Sequence, residues 1–219
     1  MYFSGFSKEF VDFLYSLKIN NTVEKLPENK LVYKQLVTEP LTQLFDALVP
    51  IALSISETII TRPAKCISTM YSDMRFSRAA PLKEYMYIRF REPTRERDIL
   101  GLYFDMGMEH YSYGIRIYKQ TSAGMEKIRN GILSNERLCM QELDNLAKLN
   151  MMIRGEKYAK DRFPDIENTA LKQLLNCKGF YIGRDCPIGD AVYSDEILRE
   201  ISDAYLGLKG LYLLFKKSM

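Results

Sequence analysis

The order of hydrophobic periods along this chain predicts an α+β fold: a mostly antiparallel central sheet with N-terminal and C-terminal helices packed against it. Three observations carry that expectation. Helical stripes fill the first quarter of the sequence, period-2 alternation dominates the middle third, and helical stripes return in the C-terminal part. A doubly wound parallel sheet would instead interleave strands with helices throughout. With 219 residues, 47% of them apolar, and no linker, repeat or low-complexity tract, residues 1–219 read as one domain.

The elements follow in order. Ser7 is an N-cap, Phe10, Phe13, Leu14 and Leu17 share one helical stripe, and Phe6 and Val11 sit at staple positions, so a first helix is expected from Ser7 to Ile19. Asn20-Asn21 ends it. A longer helical stretch runs from Pro27 to Ile55, with Leu41, Leu44, Phe45 and Leu48 spaced for burial and with Pro40 and Pro50 placed to kink or divide it.

From Tyr85 to Arg91 the chain alternates: Met86, Ile88 and Phe90 fall on one face, Tyr87, Arg89 and Arg91 on the other, as in a half-buried strand. Leu102 to Met106 and Tyr111 to Tyr118 alternate as well, and Gly107-Met108-Glu109-His110 is short enough to join them as a hairpin. Ile67 to Tyr71 is expected to add a strand. Met125, Ile128, Ile132 and Leu133, then Leu138, Leu143, Leu146 and Leu149, predict two helices on one sheet face. A polar stretch from Arg154 to Asn168 precedes a short strand at Gly179–Gly183. One final helix starts at Ser194-Asp195-Glu196 and docks through Leu208, Leu211, Tyr212 and Phe215.

Composition narrows the class. Met1 to Lys18 lacks a basic run ahead of an unbroken apolar core, which argues against a secretory signal, and no apolar segment reaches the length of a spanning helix. Cys66, Cys139, Cys177 and Cys186 stand far apart with no C-x-x-C pair, which favours reduced thiols over a disulfide framework or a zinc site. The expected location is the cytoplasm. A net charge of +3 does not by itself mark a nucleic-acid binder, but from Arg62 to Arg97 nine Lys or Arg face four Asp or Glu, so the positive field is concentrated there.

None of the phosphate-loop, dinucleotide, nucleophile-elbow or zinc-protease motifs occurs. His110 is the only histidine and falls in the expected hairpin turn, where a solvated role is the simplest reading. The most unusual segment runs from Tyr71 to Lys83. Asp73, Arg75 and Ser77 alternate two apart and point the same way in an extended chain, so with Lys83 they form a candidate site for an anion, Asp73 orienting the arginine. The alternative is that Asp73 and Arg75 simply pair and pin the turn. On the strand face, Arg89 and Arg91 interleaved with Tyr85 and Tyr87 suit base stacking and phosphate binding, or else form an ordinary solvated face.

Several segments together resemble a bacterial family, domain of unknown function 2461, over nearly the whole chain. Asn20-Asn21, Glu28-Asn29-Lys30, Tyr33 and Pro40 are similar to its opening element, with Lys25 and Leu26 in place of the usual Trp-Phe. Asp73-Met74-Arg75-Phe76-Ser77, Pro81 and Lys83 resemble its stretch R-D-x-R-F-S-K-D-K-x-P-Y-K; Ser72, Arg78-Ala79-Ala80 and Leu82 depart from it. Gly101-Leu102-Tyr103, Gly114 and Ile128-Arg129 are similar to later signatures. The resemblance implies a fold but no settled activity.

The expected function is a cytosolic binding or accessory domain that recognises a phosphate- or carboxylate-bearing ligand at a basic cleft formed by Asp73, Arg75, Ser77 and Lys83, with Arg129. Two alternatives stand beside it: an enzyme acting on a phosphorylated or nucleotide-like substrate, with Asp73 as base and Arg75 stabilising negative charge, and a purely structural interaction protein. No cofactor or metal is expected, no membrane partner, and a small anionic ligand is preferred to nucleic acid. The cysteine spacing yields a first prediction: neither a chelator nor a thiol reductant shifts the melting temperature, whereas a fall with either reagent would reveal a metal or disulfide that the spacing does not encode.

Overall fold

In β1 (Met86–Arg91), Met86, Ile88 and Phe90 are fully buried while Tyr87, Arg89 and Arg91 are half-buried. This is the alternation that a strand with one face on a core requires. β2 (Ile99–Met106) and β3 (His110–Tyr118) follow as a hairpin, closed where the Gly107 amide donates to the His110 carbonyl at 3.0 Å. The computed structural model describes residues 3–73, 75, 80–94, 99–118 and 121–219. With β4 (Met152–Arg154) and β5 (Tyr181–Pro187), the strands of the described residues form one sheet in the order β1-β2-β3-β5-β4, each neighbouring pair antiparallel. The fold is α+β, as the periods predict.

Ile67–Tyr71 is not a strand. It touches the sheet region through two isolated bridges, Ile67 to Ile88 and Tyr71 to Leu82. Between them Ser68 interrupts the ladder: its amide donates to the Tyr87 carbonyl at 2.9 Å, and its hydroxyl, not a main-chain carbonyl, accepts from the Tyr87 amide at 3.2 Å. The segment still covers the outer edge of β1, which would otherwise expose unpaired backbone groups.

α1 (Lys8–Ile19) is capped by Ser7, whose Oγ accepts from the Phe10 amide at 3.2 Å. α2 (Leu26–Tyr33), a π-helical turn (Lys34–Thr38) and α3 (Glu39–Ile55) then form one continuous run of 30 residues. Pro40 lacks the N–H that would bond back to Leu36, and the wider turn ahead of it absorbs that loss; Pro50 stays inside α3 without dividing it. By length and apolarity this run could cross a membrane, which corrects the expectation that no segment approaches spanning length. It buries Leu41, Leu44, Phe45 and Leu48 against the sheet side of the molecule, and the Phe45 ring stacks on Phe90 at 5.2 Å.

The C-terminal part differs in detail from its periodicity. α5 (Ser122–Ser134) packs mainly on α9, and α6 (Glu136–Lys148) on α7 and α9, rather than lying directly on the sheet. They leave Leu133 and Leu138 exposed while burying Arg129 and Cys139. α7 (Thr169–Leu175) and β4 lay hidden in polar surroundings, too short to show a period. In place of one final helix there are two, α8 (Glu196–Gly207) and α9 (Lys209–Ser218), divided at Leu208. The helix α4 (Pro63–Cys66) is a single turn beside β1. One contiguous cluster of buried side chains runs from Phe3 to Phe215. All four cysteines lie inside as free thiols, and burial raises Cys66 to about 11 and Cys139 to about 12.

Two polar clamps fasten loops to this frame. The buried Asn21 side chain donates to the Leu82 carbonyl at 2.6 Å and accepts from the Leu82 amide at 3.1 Å, so one amide imitates a strand partner. At the end of β1, Glu92 accepts from Thr58 at 2.5 Å and Tyr212 at 2.9 Å and pairs with Lys216 at 3.3 Å, joining α9 to the sheet and to the end of α3. Burial pushes the Glu92 carboxyl up, but hydrogen bonds from Thr58, Ser56, Tyr212 and Lys216 outweigh it and hold the group below its ordinary 4.5. A depressed folded pKa gives stability that is present above 4.5 and lost as pH falls through the folded value. Urea midpoints measured between about pH 7 and about pH 3 therefore fall less steeply in Glu92→Gln than in the parent; parallel profiles would show that the clamp is not linked to folding.

Candidate functional site

The register arranges the sheet face opposite the helices in rows. Arg91 of β1 pairs with Gly101, Gly101 with Arg116, Arg116 with Tyr181, and Tyr181 with Arg154, so this row is basic. One row further, Arg89 pairs with Tyr103, Tyr103 with Gly114, and Gly114 with Gly183. Beyond it Tyr87, Asp105, Ser112 and Asp185 make a row whose charges are acidic.

The middle row is a scaffold. Gly114 has φ +153°, a conformation that side-chain-bearing residues rarely adopt, and a Cβ on Gly183 would stand 2.6 Å from the Tyr103 hydroxyl. The two glycines thus let Tyr103 lie across β3 and β5, where its ring meets Tyr181 edge-on at 5.6 Å. Arg89 sits between rings, 4.6 Å from the Tyr87 centroid and 5.6 Å from that of Tyr103. It pairs with Asp105 and donates to the Phe104 carbonyl at 3.2 Å. Burial pushes the Asp105 carboxyl up despite Arg89 beside it, and burial, with the Asp105 charge next, pushes the Tyr103 phenol far up.

The basic row opens into a cleft of about 420 Å³. Lys65, Arg91 and Arg116 line it with Gly101 between the arginines, and Tyr85, Tyr87 and Tyr181 supply aromatic wall. Arg91 and Arg116 lie two strands apart, about 10 Å between backbones, so glycine between them leaves the floor open. A Cβ at Gly101 would meet the Phe90 carbonyl oxygen at 2.2 Å. The Arg116 guanidinium lies 4.9 Å from the Tyr181 centroid. Arg91 Nε is buried and has no hydrogen-bond partner among the described residues. Lys65 reaches the cleft from α4 and is exposed.

The residues singled out from the sequence do not converge on this cleft. Asp73 and Arg75 form a bidentate pair, Nε to Oδ1 at 2.9 Å and Nη2 to Oδ2 at 2.7 Å, with the arginine side chain 81% exposed. The Arg75 guanidinium beside Asp73 holds its carboxyl below the usual carboxylate range, which makes it a poor base. Ser77 lies outside the described residues. Lys83 stands nearest the cleft, its Nζ 5.2 Å over the ring of Tyr87 and 3.3 Å from the Thr69 hydroxyl, and burial lowers its pKa. Arg129 is elsewhere: 1% exposed, it donates to the Leu175 carbonyl at 2.9 Å and the Cys177 carbonyl at 2.7 Å, capping the C-terminus of α7. His110 is exposed at the start of β3. No cluster of three or more metal-ligating side chains occurs among the described residues.

The model of a family described as conserved hypothetical protein, DUF2461, matches residues 9–213. The chain belongs to the DUF2461 family. Within this DUF2461 chain, Gly101, Tyr103 and Gly114 all fall on the sheet face opposite the helices. No curated protein matches the chain.

Arg116, Tyr181 and Lys65 were missed by the sequence reading. Arg116 shares its parity along β3 with Gly114, a signal available once the hairpin register is known; Tyr181 and Lys65 reach the cleft through connections that no local pattern encodes. The contrast between the two arginines outside the cleft is testable. Arg129→Ala removes the buried donor of the Leu175 and Cys177 carbonyls and costs roughly 2–5 kcal/mol in urea denaturation. Arg75→Ala, which breaks an exposed pair, leaves the unfolding midpoint nearly unchanged; equal losses in both variants would contradict this division.

Proposed function

We propose that the chain is a cytoplasmic bacterial binding or accessory module that holds a phosphate- or carboxylate-bearing ligand between Arg91 and Arg116, over Gly101, with Lys65 at the margin. The observation that carries this reading is the buried Arg91 Nε on the cleft wall, which lacks a hydrogen-bond partner among the described residues. Such a donor costs about 1–3 kcal/mol when left unpaired, and an oxyanion is the partner that a guanidinium fork fits best. The local excess of positive charge supports the same conclusion. Four buried free thiols accord with a reducing compartment.

Melting in phosphate, against sodium chloride at matched ionic strength, tests it. A ligand at ten times its dissociation constant stabilises by about 1.4 kcal/mol, which raises Tm by roughly 3–6 °C in a chain of this size. The parent is expected to show that rise and Arg91→Ala to lose it while keeping its own Tm in chloride. No phosphate-specific rise in the parent defeats the reading. A rise that survives Arg91→Ala and disappears in Arg75→Ala or Lys83→Ala moves the anion to the Asp73–Lys83 segment instead.

A further inference from the structure

The cleft is too large and too long for a simple anion. A phosphate takes the room of a few waters, on the order of 100 Å³, against about 420 Å³ here. Tyr85 and Arg91 both line it and stand six residues apart on nearly extended chain, about 20 Å at ~3.3 Å per residue. Cations occupy one stretch of the cleft and aromatic rings stand at both ends: Tyr85 at the start of β1, and Tyr181 beside Arg116.

The tyrosines are not equivalent. Tyr87 lies within cation–π range of both Lys83 and Arg89, at 5.2 Å and 4.6 Å, and serves the scaffold. Tyr85 is 54% exposed, and its ring meets Tyr87 at 6.5 Å with a tilt of 31°, so it retains open ring surface. An exposed ring at the end of a basic groove is a stacking platform for a base, and the groove tracks a phosphate backbone.

We propose that the ligand is a short stretch of single-stranded nucleic acid lying along β1, one base stacked on Tyr85 and a phosphate between Arg91 and Arg116. This rests on the anion site argued above and names its ligand class. The span selects a strand over a mononucleotide: a stacked strand advances about 3.4 Å along its axis per phosphate and further when it is extended, so several nucleotides fit where one reaches only one end. A duplex does not present its bases to Tyr85.

The test uses fluorescence anisotropy of a labelled thymidine hexanucleotide with the full chain, competed by thymidine monophosphate, dinucleotide, tetranucleotide, duplex of the same length and polyglutamate. Affinity is expected to rise steeply from the monophosphate to about four nucleotides, with the duplex and polyglutamate competing at least tenfold less well. Tyr85→Ala weakens the hexanucleotide roughly 5- to 150-fold and Tyr85→Phe retains its affinity, while the phosphate-dependent rise in Tm persists in both. Monophosphate binding as tightly as hexanucleotide, polyglutamate competing equally, or an unchanged affinity in Tyr85→Ala overturns the nucleic-acid assignment, and a persisting phosphate response then leaves the anion site intact. Loss of every phosphate response in the parent removes both.

Discussion

Helices α3, α8 and α9 cover one face of an antiparallel sheet, and this constraint assigns every second residue of β1, β2, β3 and β5 to the opposite face. On the covered face the alternation supplies Phe90 to Phe45, Phe180 to Phe215, and Tyr111 to Glu200, with the last hydroxyl 2.9 Å from the carboxylate. On the opposite face the same alternation delivers arginines, tyrosines and glycines into register. Shifting β1 or β3 by a residue would turn Arg91 or Arg116 toward the core and Phe90 or Ile117 away from it, which is why the apolar face fixes the polar one.

Two arginines two residues apart on β1 illustrate how the register divides labour. Arg89 is enclosed by Tyr87, Tyr103 and Asp105 and donates to a main-chain carbonyl, so its charge is neutralised locally. Arg91 faces Gly101 across the ladder, which brings no side chain of its own, and the Arg91 Nε stays without a partner among the described residues. Identical chemistry is thus enclosed by aromatic rings in one row and lines a cleft in the next, the difference being Tyr103 against Gly101 on the neighbouring strand.

The segment from Asp73 to Lys83 shows a different logic. An exposed bidentate pair between Asp73 and Arg75 satisfies both groups within the segment, and screening by water makes such a pair a weak source of stability. What fastens the end of this segment is the Asn21 amide on the Leu82 main chain, across 61 positions of sequence. Lys83 follows that clamp directly and is thereby held over Tyr87 at the cleft.

The sequence by itself determined the α+β class, the capped first helix, the β2–β3 hairpin and the two-sided character of β1, because each depends on local periodicity, a cap or a turn of a few residues. It also contained the resemblance that places the chain in its family, and it marked Arg89 and Arg91 with Tyr85 and Tyr87 as one face. It could not show that β5 inserts between β3 and β4, that Leu26–Ile55 is one helix despite Pro40 and Pro50, or that Arg129 lies buried capping α7. Only the tertiary structure decided the cleft. A cleft on a sheet face is set by which strands become neighbours, and Arg91, Arg116 and Tyr181 meet through hydrogen-bond register across positions far apart in the chain, where no short-range pattern carries information.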